Sequence, residues 1–531
     1  MHCRSRPPRE FFARLRTFTA EAAVLALWLG VNAASAAQPG VAGLDGYVHR
    51  AMAQWKVPGL AVAVVKDGQL VLARGYGVRE LGKSDRVDAD TLFDIGSNTK
   101  AFTAAALGTL VAAGKLKWDD PVVKYVPGFR LESPYVSQEI TLRDLLSHRS
   151  GYCDPFAMWY LSDDTTENVI ARLRYQKPSY GFRAHFCYDN AMYLVASAFI
   201  PAITGASWNS YVASHIFAPL GMTRTVSTSA ALAAASDVAR PHGEVEHKVE
   251  VIKPYWSNNM DVFAPVGGIN SSANDMSHWL IMLLADGRYG GSQVLEPAII
   301  QAMETPQALV QADSDLAGWL HAQTPDTRFY AYGLGFFLQD YGNHELVWHA
   351  GDIDGMASAL ALVPDEHLGV VVMSNMNQSR ASEGIVFHVL QEYLGLPPRD
   401  VSSAMYADLQ KENARAQAAS RKLAAARRPG TTAPLPLGDY AGSYSDPYYG
   451  TASVRDEHGH LVLRLGNPMF VGDLEHWNGA TFHVRWRYRF YGEAYITFDV
   501  DALGEPTRLS LASTPAHYER TPPASSPSPG K

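Results

Sequence analysis

Ser97 and Lys100 stand three residues apart in Phe93-Asp94-Ile95-Gly96-Ser97-Asn98-Thr99-Lys100, directly ahead of an alanine-rich run. On a helix that spacing puts both side chains on one face. A serine hydroxyl is a weak nucleophile until a base takes its proton, and a lysine one turn away can do so when its pKa is depressed. The start of a helix adds free backbone donors and a positive field. Taken alone, the pair is equally an N-cap serine beside a solvated lysine. Two further stretches raise it above that reading. Tyr188-Asp189-Asn190 follows 91 residues after the serine. A phenol can relay a proton beside a lysine, and an asparagine amide can hold a substrate carbonyl. Val347-Trp348-His349-Ala350-Gly351-Asp352 then reads as a strand in which Gly351 lets a ligand approach the backbone.

These residues need elements to carry them, and the hydrophobic pattern supplies candidates. Leu60–Val65 and Gln69–Gly75 are apolar runs around Lys66-Asp67-Gly68, a predicted hairpin. Thr99–Ala113 has helical spacing and is stopped by Gly114. Further helices are predicted over Ala191–Ile200, ending near Pro201, and over Asp275–Leu284. Ala357–Val363 and Leu368–Ser374 flank Pro364-Asp365-Glu366-His367 as a second hairpin. Hairpins at both ends with helices between them predict an α+β fold, in which one antiparallel sheet is shared by the two ends of the domain around a helical middle.

The texture changes after Pro397-Pro398. Residues 399–432 form an Ala-, Lys- and Arg-rich linker or solvated helix, and from 433 to 520 short strands with turns predict a small all-β barrel or sandwich. Residues 521–531 are a Pro/Ser tail expected to be disordered. Among the aromatics of the β-rich segment, Trp477, Trp486 and Tyr488 suit a barrel core better than a ligand surface.

Composition excludes other classes. With 47% hydrophobic and 18% charged residues, the 531-residue chain can fill large cores and is neither disordered nor fibrous. A net charge of −8 argues against a nucleic-acid partner. Residues 1–36 read as a secretory signal peptide: five arginines, the apolar run Ala22–Val31, then Ala34-Ser35-Ala36. Removing its five arginines and two glutamates, a net +3, takes the balance from −8 to −11. The expected location is therefore periplasmic or secreted, with no transmembrane segment in the mature chain. Of three cysteines, Cys3 leaves with the leader, and Cys153 and Cys187 are then either bridged or two buried thiols. His242 and His247 with Glu244 and Glu246 offer metal-ligating chemistry, but alternation on a loop-edge strand explains them, so no metal is expected. The G-x-S-x-G elbow of α/β-hydrolases is absent from the sequence.

Ser97/Lys100, Tyr188/Asn190 and His349/Gly351, in that order, resemble the S-x-x-K, Y-x-N and K-T-G or H-x-G elements of the serine β-lactamase and penicillin-binding-protein superfamily. The likeness is to the class C-like branch with D-aminopeptidases, DD-carboxypeptidases and esterases. Leu145–Gly151, Phe217–Met222 and Gly267–Ser272 extend it over residues 41–398, and the β-rich segment resembles an appended lipocalin-like barrel. The resemblance implies a β-lactamase/transpeptidase-like sheet flanked by helices with an all-helical subdomain. It implies that Ser97 forms an acyl-enzyme, Lys100 and Tyr188 form its base, and Asn190 and His349 face the substrate. The N–H groups of Ser97 and Asp352 would make the oxyanion hole beside Gly351. It implies no cofactor and a small-molecule or peptide substrate: a D-amino-acid peptide first, then an ester or, weakly, a β-lactam. His349, a histidine only partly charged near neutral pH where β-lactamases have lysine, predicts poorer recognition of a substrate carboxylate. A Cys153–Cys187 bridge would brace Tyr188, His148 and Arg149 read as structural loop residues, and Trp348 reads as core. The rival from another class is a non-catalytic peptidoglycan- or lipid-binding protein, against which the intact Ser97, Lys100 and Tyr188 stand.

Overall fold

Alternation along Gly59–Lys66 decides the architecture. Ala61, Ala63 and Val65 join one buried cluster while Leu60, Val62 and Val64 join another, so this strand is covered on both faces. In this computed structural model, residues 41, 43–153, 163–252, 260–311, 324, 327–512 and 514–521 are described. The expected leader over 1–36 and all of the 521–531 tail except Thr521 lie outside the described residues.

The elements that matter for the site, in chain order, are α1 (Leu44–Trp55), β1 (Gly59–Lys66), β2 (Gln69–Gly77), α2 (Thr99–Ala112), α3 (Asn190–Ser197), α4 (Met260–Gly267), α5 (Ala273–Leu284), β3 (Ala308–Leu309), β4 (Tyr330–Tyr332), β5 (Phe337–Tyr341), β6 (His344–Ile353), β7 (Met356–Val363), β8 (Leu368–Ser374), α6 (Ala381–Leu394) and α7 (Val401–Ala425). The strands form one antiparallel sheet in the order β2-β1-β8-β7-β6-β5-β4-β3. Both predicted hairpins are present, and β1 pairs with β8 from Leu60 opposite Ser374 to Lys66 opposite Leu368. The two ends of the domain therefore share the sheet, as the pattern predicted.

Helix α1 presents Leu44, Val48, Ala51, Met52 and Trp55, at helical three- and four-residue spacing, to the outer face. Helix α6 covers the same face. The other face carries the helical middle of the chain, with α2 at its centre. Ala104, Ala105 and Ala106 are fully buried, and their small side chains let neighbouring helices approach closely. Phe102 stacks on Trp279 of α5 with ring centroids 4.0 Å apart. One prediction fails in detail: the helix beginning at Asn190 breaks at Ala198, and a second runs Phe199–Thr204 with Pro201 inside its first turn. Proline is tolerated there because first-turn N–H groups have no intrahelical acceptor to lose. No single described helix is long and apolar enough to cross a membrane.

Beyond α7, whose side chains past Met405 are largely solvent-exposed, eight strands from Gly442–Asp446 to His517–Arg520 close into a barrel. Tyr444 pairs with Arg520 and Ser445 with Glu519 to join first strand to last. Eight strands leave an interior that side chains just fill. Here Tyr440, Tyr444, Phe482, Phe498 and Tyr518 fill it. Trp486 packs edge-on to Phe470, and Trp477 lies beneath Arg427 at the end of the linker. Tyr488 leads into a turn through which the barrel meets the preceding domain. In that turn Tyr491 donates from its hydroxyl to Asp354 Oδ2 (3.1 Å), and Arg489 pairs with Glu246 (2.8 Å).

Candidate active site

The turn carrying Ser97 is built before the helix begins. Asp94 is buried and accepts from the Gly96 N–H at 2.7 Å, and burial holds its carboxyl well above the ordinary range. Gly96 has φ +51°, and a Cβ there would come within 2.8 Å of the Asp352 nitrogen. Only glycine lets this turn lie against the end of β6. Ser358 ties the same pieces together: it donates to the Ile95 carbonyl at 2.7 Å and accepts from Asn98 Nδ2 at 2.8 Å. Gly351 is required beside it, since a Cβ would sit 2.1 Å from the Ile95 oxygen.

Lys100, on the first turn of α2, is 0% exposed and lies with Nζ 2.9 Å from Ser97 Oγ. It donates to the Val266 carbonyl at 3.0 Å. That carbonyl ends α4, where backbone oxygens have no intrahelical donor. No described carboxylate pairs with this ammonium, and burial pushes its pKa well below the ordinary lysine value. That shift favours the free amine, the form that can act as a base. Tyr188 donates from its hydroxyl to the other side of Ser97 Oγ, also at 2.9 Å. Burial raises the phenol's pKa, outweighing the bond to Ser97, while the charge of Asp352 adds to the rise. The serine oxygen therefore sits between an amine of depressed pKa and a neutral phenol.

Tyr188 precedes α3, where Asp189 caps the helix by accepting from the Ala191 N–H at 2.8 Å. Asn190 is the first residue of the helix, 7% exposed. Cys187 is joined to Cys153, their Cα atoms 5.3 Å apart, which ties the chain before Tyr188 to the loop after Gly151. Of the two possibilities open in the sequence, the structure has the bridge.

His349 marks the point where β6 loses a neighbour. β5 pairs with β6 only from His344 to Trp348, so His349–Ile353 presents a free edge next to the Ser97 turn. The imidazole is 2% exposed, with Nε2 3.0 Å from the Tyr332 hydroxyl and Nδ1 2.5 Å from the Ala350 oxygen. Burial and the nearby Lys100 push its pKa down to about 3, so the ring carries no charge near neutrality, where the sequence had suggested partial charge. Trp348 is core, donating to Gln339 Oε1 at 2.9 Å.

Asp352 lies on the free edge and is held by Arg380, 2.6 Å away, which also reaches Glu383 at 2.9 Å. Glu383 is 1% exposed, and burial lifts its carboxyl to about 7 despite the guanidinium beside it. Sequence reasoning missed this group, together with Tyr332 and Tyr193, which donates to the Leu146 carbonyl at 2.6 Å. An Arg and a Glu three apart at the start of an otherwise apolar helix was the available clue to Arg380 and Glu383. Nothing local pointed to the two tyrosines. In the histidine and glutamate group at 242–247, His242 is buried, with Nε2 accepting from the Leu81 N–H at 2.9 Å, and Glu244 pairs with Lys56.

The family model described as Beta-lactamase matches residues 44–395, and one described as Domain of unknown function (DUF3471) matches 426–522. The unguisins hydrolase ungD of Aspergillus violaceofuscus is 31% identical over 438 residues, 77% of this chain and 75% of its own length. Protein flp of Staphylococcus aureus is 25% identical, covering 63% of each chain. Among solved structures, the octameric penicillin-binding protein homologue from Pyrococcus abyssi superposes with TM-score 0.57 at 22% identity, over 90% of this chain and 99% of that one. SurE with D-Leu superposes with TM-score 0.53 at 20% identity, over 91% and 99%. The family match runs from Leu44 to Gly395, across every residue of the site described above, and on that ground the chain belongs to the Beta-lactamase family, a family of serine hydrolases.

Proposed function

We propose that this chain hydrolyses amides or esters through an acyl-Ser97 intermediate, with peptides containing D-amino acids as its first substrate class. One observation carries the reading: Ser97 Oγ lies 2.9 Å from both the Lys100 amine and the Tyr188 hydroxyl, both buried, the lysine with its pKa depressed and the phenol kept protonated. The lone pair of Lys100 takes the serine proton as Ser97 attacks the carbonyl. The N–H groups of Ser97 and Asp352 receive the developing oxyanion. Tyr188, kept protonated by burial, delivers a proton to the leaving nitrogen or oxygen, and water then releases the acyl group. Asn190 orients the substrate. Residues 1–36 direct the chain out of the cytoplasm.

The substrate class has separate support. His349 is neutral and Arg380 is already paired with two carboxylates, so neither is an uncommitted cation for a substrate carboxylate. This disfavours penicillins relative to peptides and esters. A relative carries the name unguisins hydrolase, and a protein of the same fold has been solved with D-Leu. The test is labelling by a fluorophosphonate in wild type and Ser97→Ala, followed by turnover of a panel of D-aminoacyl amides, simple esters and nitrocefin. Ser97-dependent labelling with D-aminoacyl amide turnover is expected. Turnover of esters alone would make the chain a carboxylesterase. Rapid nitrocefin turnover, no faster in His349→Lys, would overturn the carboxylate argument. No Ser97-dependent adduct and no turnover would leave the binding-protein reading in its place.

A further inference from the structure

We propose that His148 is the positioning residue for Tyr188, fixing the phenol that meets Ser97; the proposal rests on the Ser97–Tyr188 pair described above. The histidine brackets the tyrosine from three directions. Its carbonyl accepts from the Cys187 N–H at 2.7 Å, one residue before Tyr188. Its Nδ1 accepts from the Asp189 N–H at 3.2 Å, one residue after. Between those two bonds its ring lies on the Tyr188 ring, centroids 4.2 Å apart and planes inclined by 32°.

The arrangement asks for histidine specifically. The residue is fully buried, where an aliphatic or phenyl side chain would fill the same space without a polar atom. Because Nδ1 accepts, the ring proton resides on Nε2, and that nitrogen has no hydrogen-bond partner among the described residues. A buried N–H left unsatisfied is destabilising, so the imidazole is a worse core residue than phenylalanine. What it gains is the Nδ1 acceptor for Asp189, which phenylalanine lacks. The backbone is equally particular: φ is +54°, the left-handed region that asparagine and histidine adopt more readily than β-branched residues.

The loop that carries His148 is itself anchored. Asp144, buried, accepts from Arg149 at 2.5 Å and from Arg183 at 2.7 Å, pinning the chain on either side of the contact with residues 187–189. Tyr193, Tyr332 and Phe186 surround the rest of the imidazole, with centroids 5.0–5.7 Å away. Tyr188 thus has little freedom to swing its hydroxyl away from Ser97. His148 touches neither Ser97 nor a reacting atom, and its effect passes through the tyrosine.

The test is a double-mutant cycle read as the second-order rate of Ser97 labelling by a fluorophosphonate. His148→Leu removes the acceptor and the ring. In the Tyr188-containing protein it is expected to slow labelling about 30-fold, within the range that a misplaced proton donor costs. In a Tyr188→Phe background the same change is expected to cost less than about threefold, because the group it positions is gone. A merely structural role would slow both backgrounds alike, and that result overturns the proposal, as does a wild-type rate in His148→Leu. If His148→Leu does not fold, His148→Asn keeps an acceptor and suits the left-handed backbone. It is expected to lose about 5-fold with Tyr188 present and nothing without it, and an equal loss in both backgrounds again overturns the proposal. Wild type unlabelled at Ser97 would remove the proposed function and this inference together. Labelled wild type with an additive cycle would remove this inference alone.

Discussion

The two flanks of Ser97 are built on opposite electrostatic principles. Around Lys100 lie Tyr188, His148 and His349, all titratable and, like Lys100, buried, so that burial disfavours the charged form of each. At the far end of β6 lie Asp352, Arg380 and Glu383, where the guanidinium is paired with both carboxyl groups. The neutral flank can accept and donate protons near pH 7. The ion-paired flank braces the free edge of β6 that carries the Asp352 N–H. Reactivity is thus obtained by withholding counter-ions, and rigidity by supplying them.

The contrast breaks most sharply at Lys100. Lys100→Met should reduce Ser97 labelling and turnover by at least about 10³-fold, since it removes the base. It should also raise the melting temperature, by a stabilisation of about 1 kcal/mol, because a buried amine stripped of its proton is a cost to the fold. The sign follows from linkage: the folded pKa lies below the unfolded one, so the unfolded chain binds more protons at neutral pH and the wild-type lysine opposes folding there. Loss of both activity and stability would place Lys100 among ordinary structural residues.

On the charged flank the expected ordering reverses. Arg380→Ala leaves Asp352 and Glu383 without their cation and should destabilise the fold by about 3 kcal/mol, measured by urea denaturation. Glu383→Gln is gentler and shows itself in pH dependence. The folded carboxyl sits at about 7, above its ordinary 4.5. Its favourable contribution is therefore complete below pH 4.5 and lost as pH rises through 7, so wild type should lose melting temperature across that interval and Glu383→Gln should not. The smallest change is expected at the barrel contact. Tyr491→Phe removes the hydroxyl donor to Asp354 and should cost about 1 kcal/mol, with kcat altered less than about threefold. A larger fall in kcat than in stability would move the barrel from brace to participant.

How much of this was legible in the sequence follows the distance over which each feature is specified. Ser97 and Lys100 could be read because their relation is one turn of helix, and the β7–β8 hairpin because its alternation and turn are contiguous. The shared sheet could be inferred because an apolar hairpin lay at each end of the domain. Tyr332 could not: it reaches His349 only because β4 and β6 flank β5. Arg380 likewise meets Asp352 only after two strands have returned. Barrel and sandwich were indistinguishable beforehand because closure rests on Tyr444 and Ser445 meeting Arg520 and Glu519, a pairing with no local signature. The charge state of His349 was misjudged because burial, which removes it, is a property of the assembled fold.

The β1–β8 pairing has a consequence for the order in which the molecule can assemble. Leu60 finds Ser374 across most of the catalytic unit, whereas each barrel strand except the closing pair bonds to its neighbour in sequence. Contacts of such long range are slow to form, because the intervening chain must be brought to heel before they reward it. While the chain is being synthesised, β1 and β2 emerge early, and the edge of β1 that pairs with Leu368–Ser374 stays open until β8 arrives. A polypeptide ending before Leu368 has no partner for that side of β1, and its exposed edge and apolar faces make it a species that aggregates rather than one that folds in part.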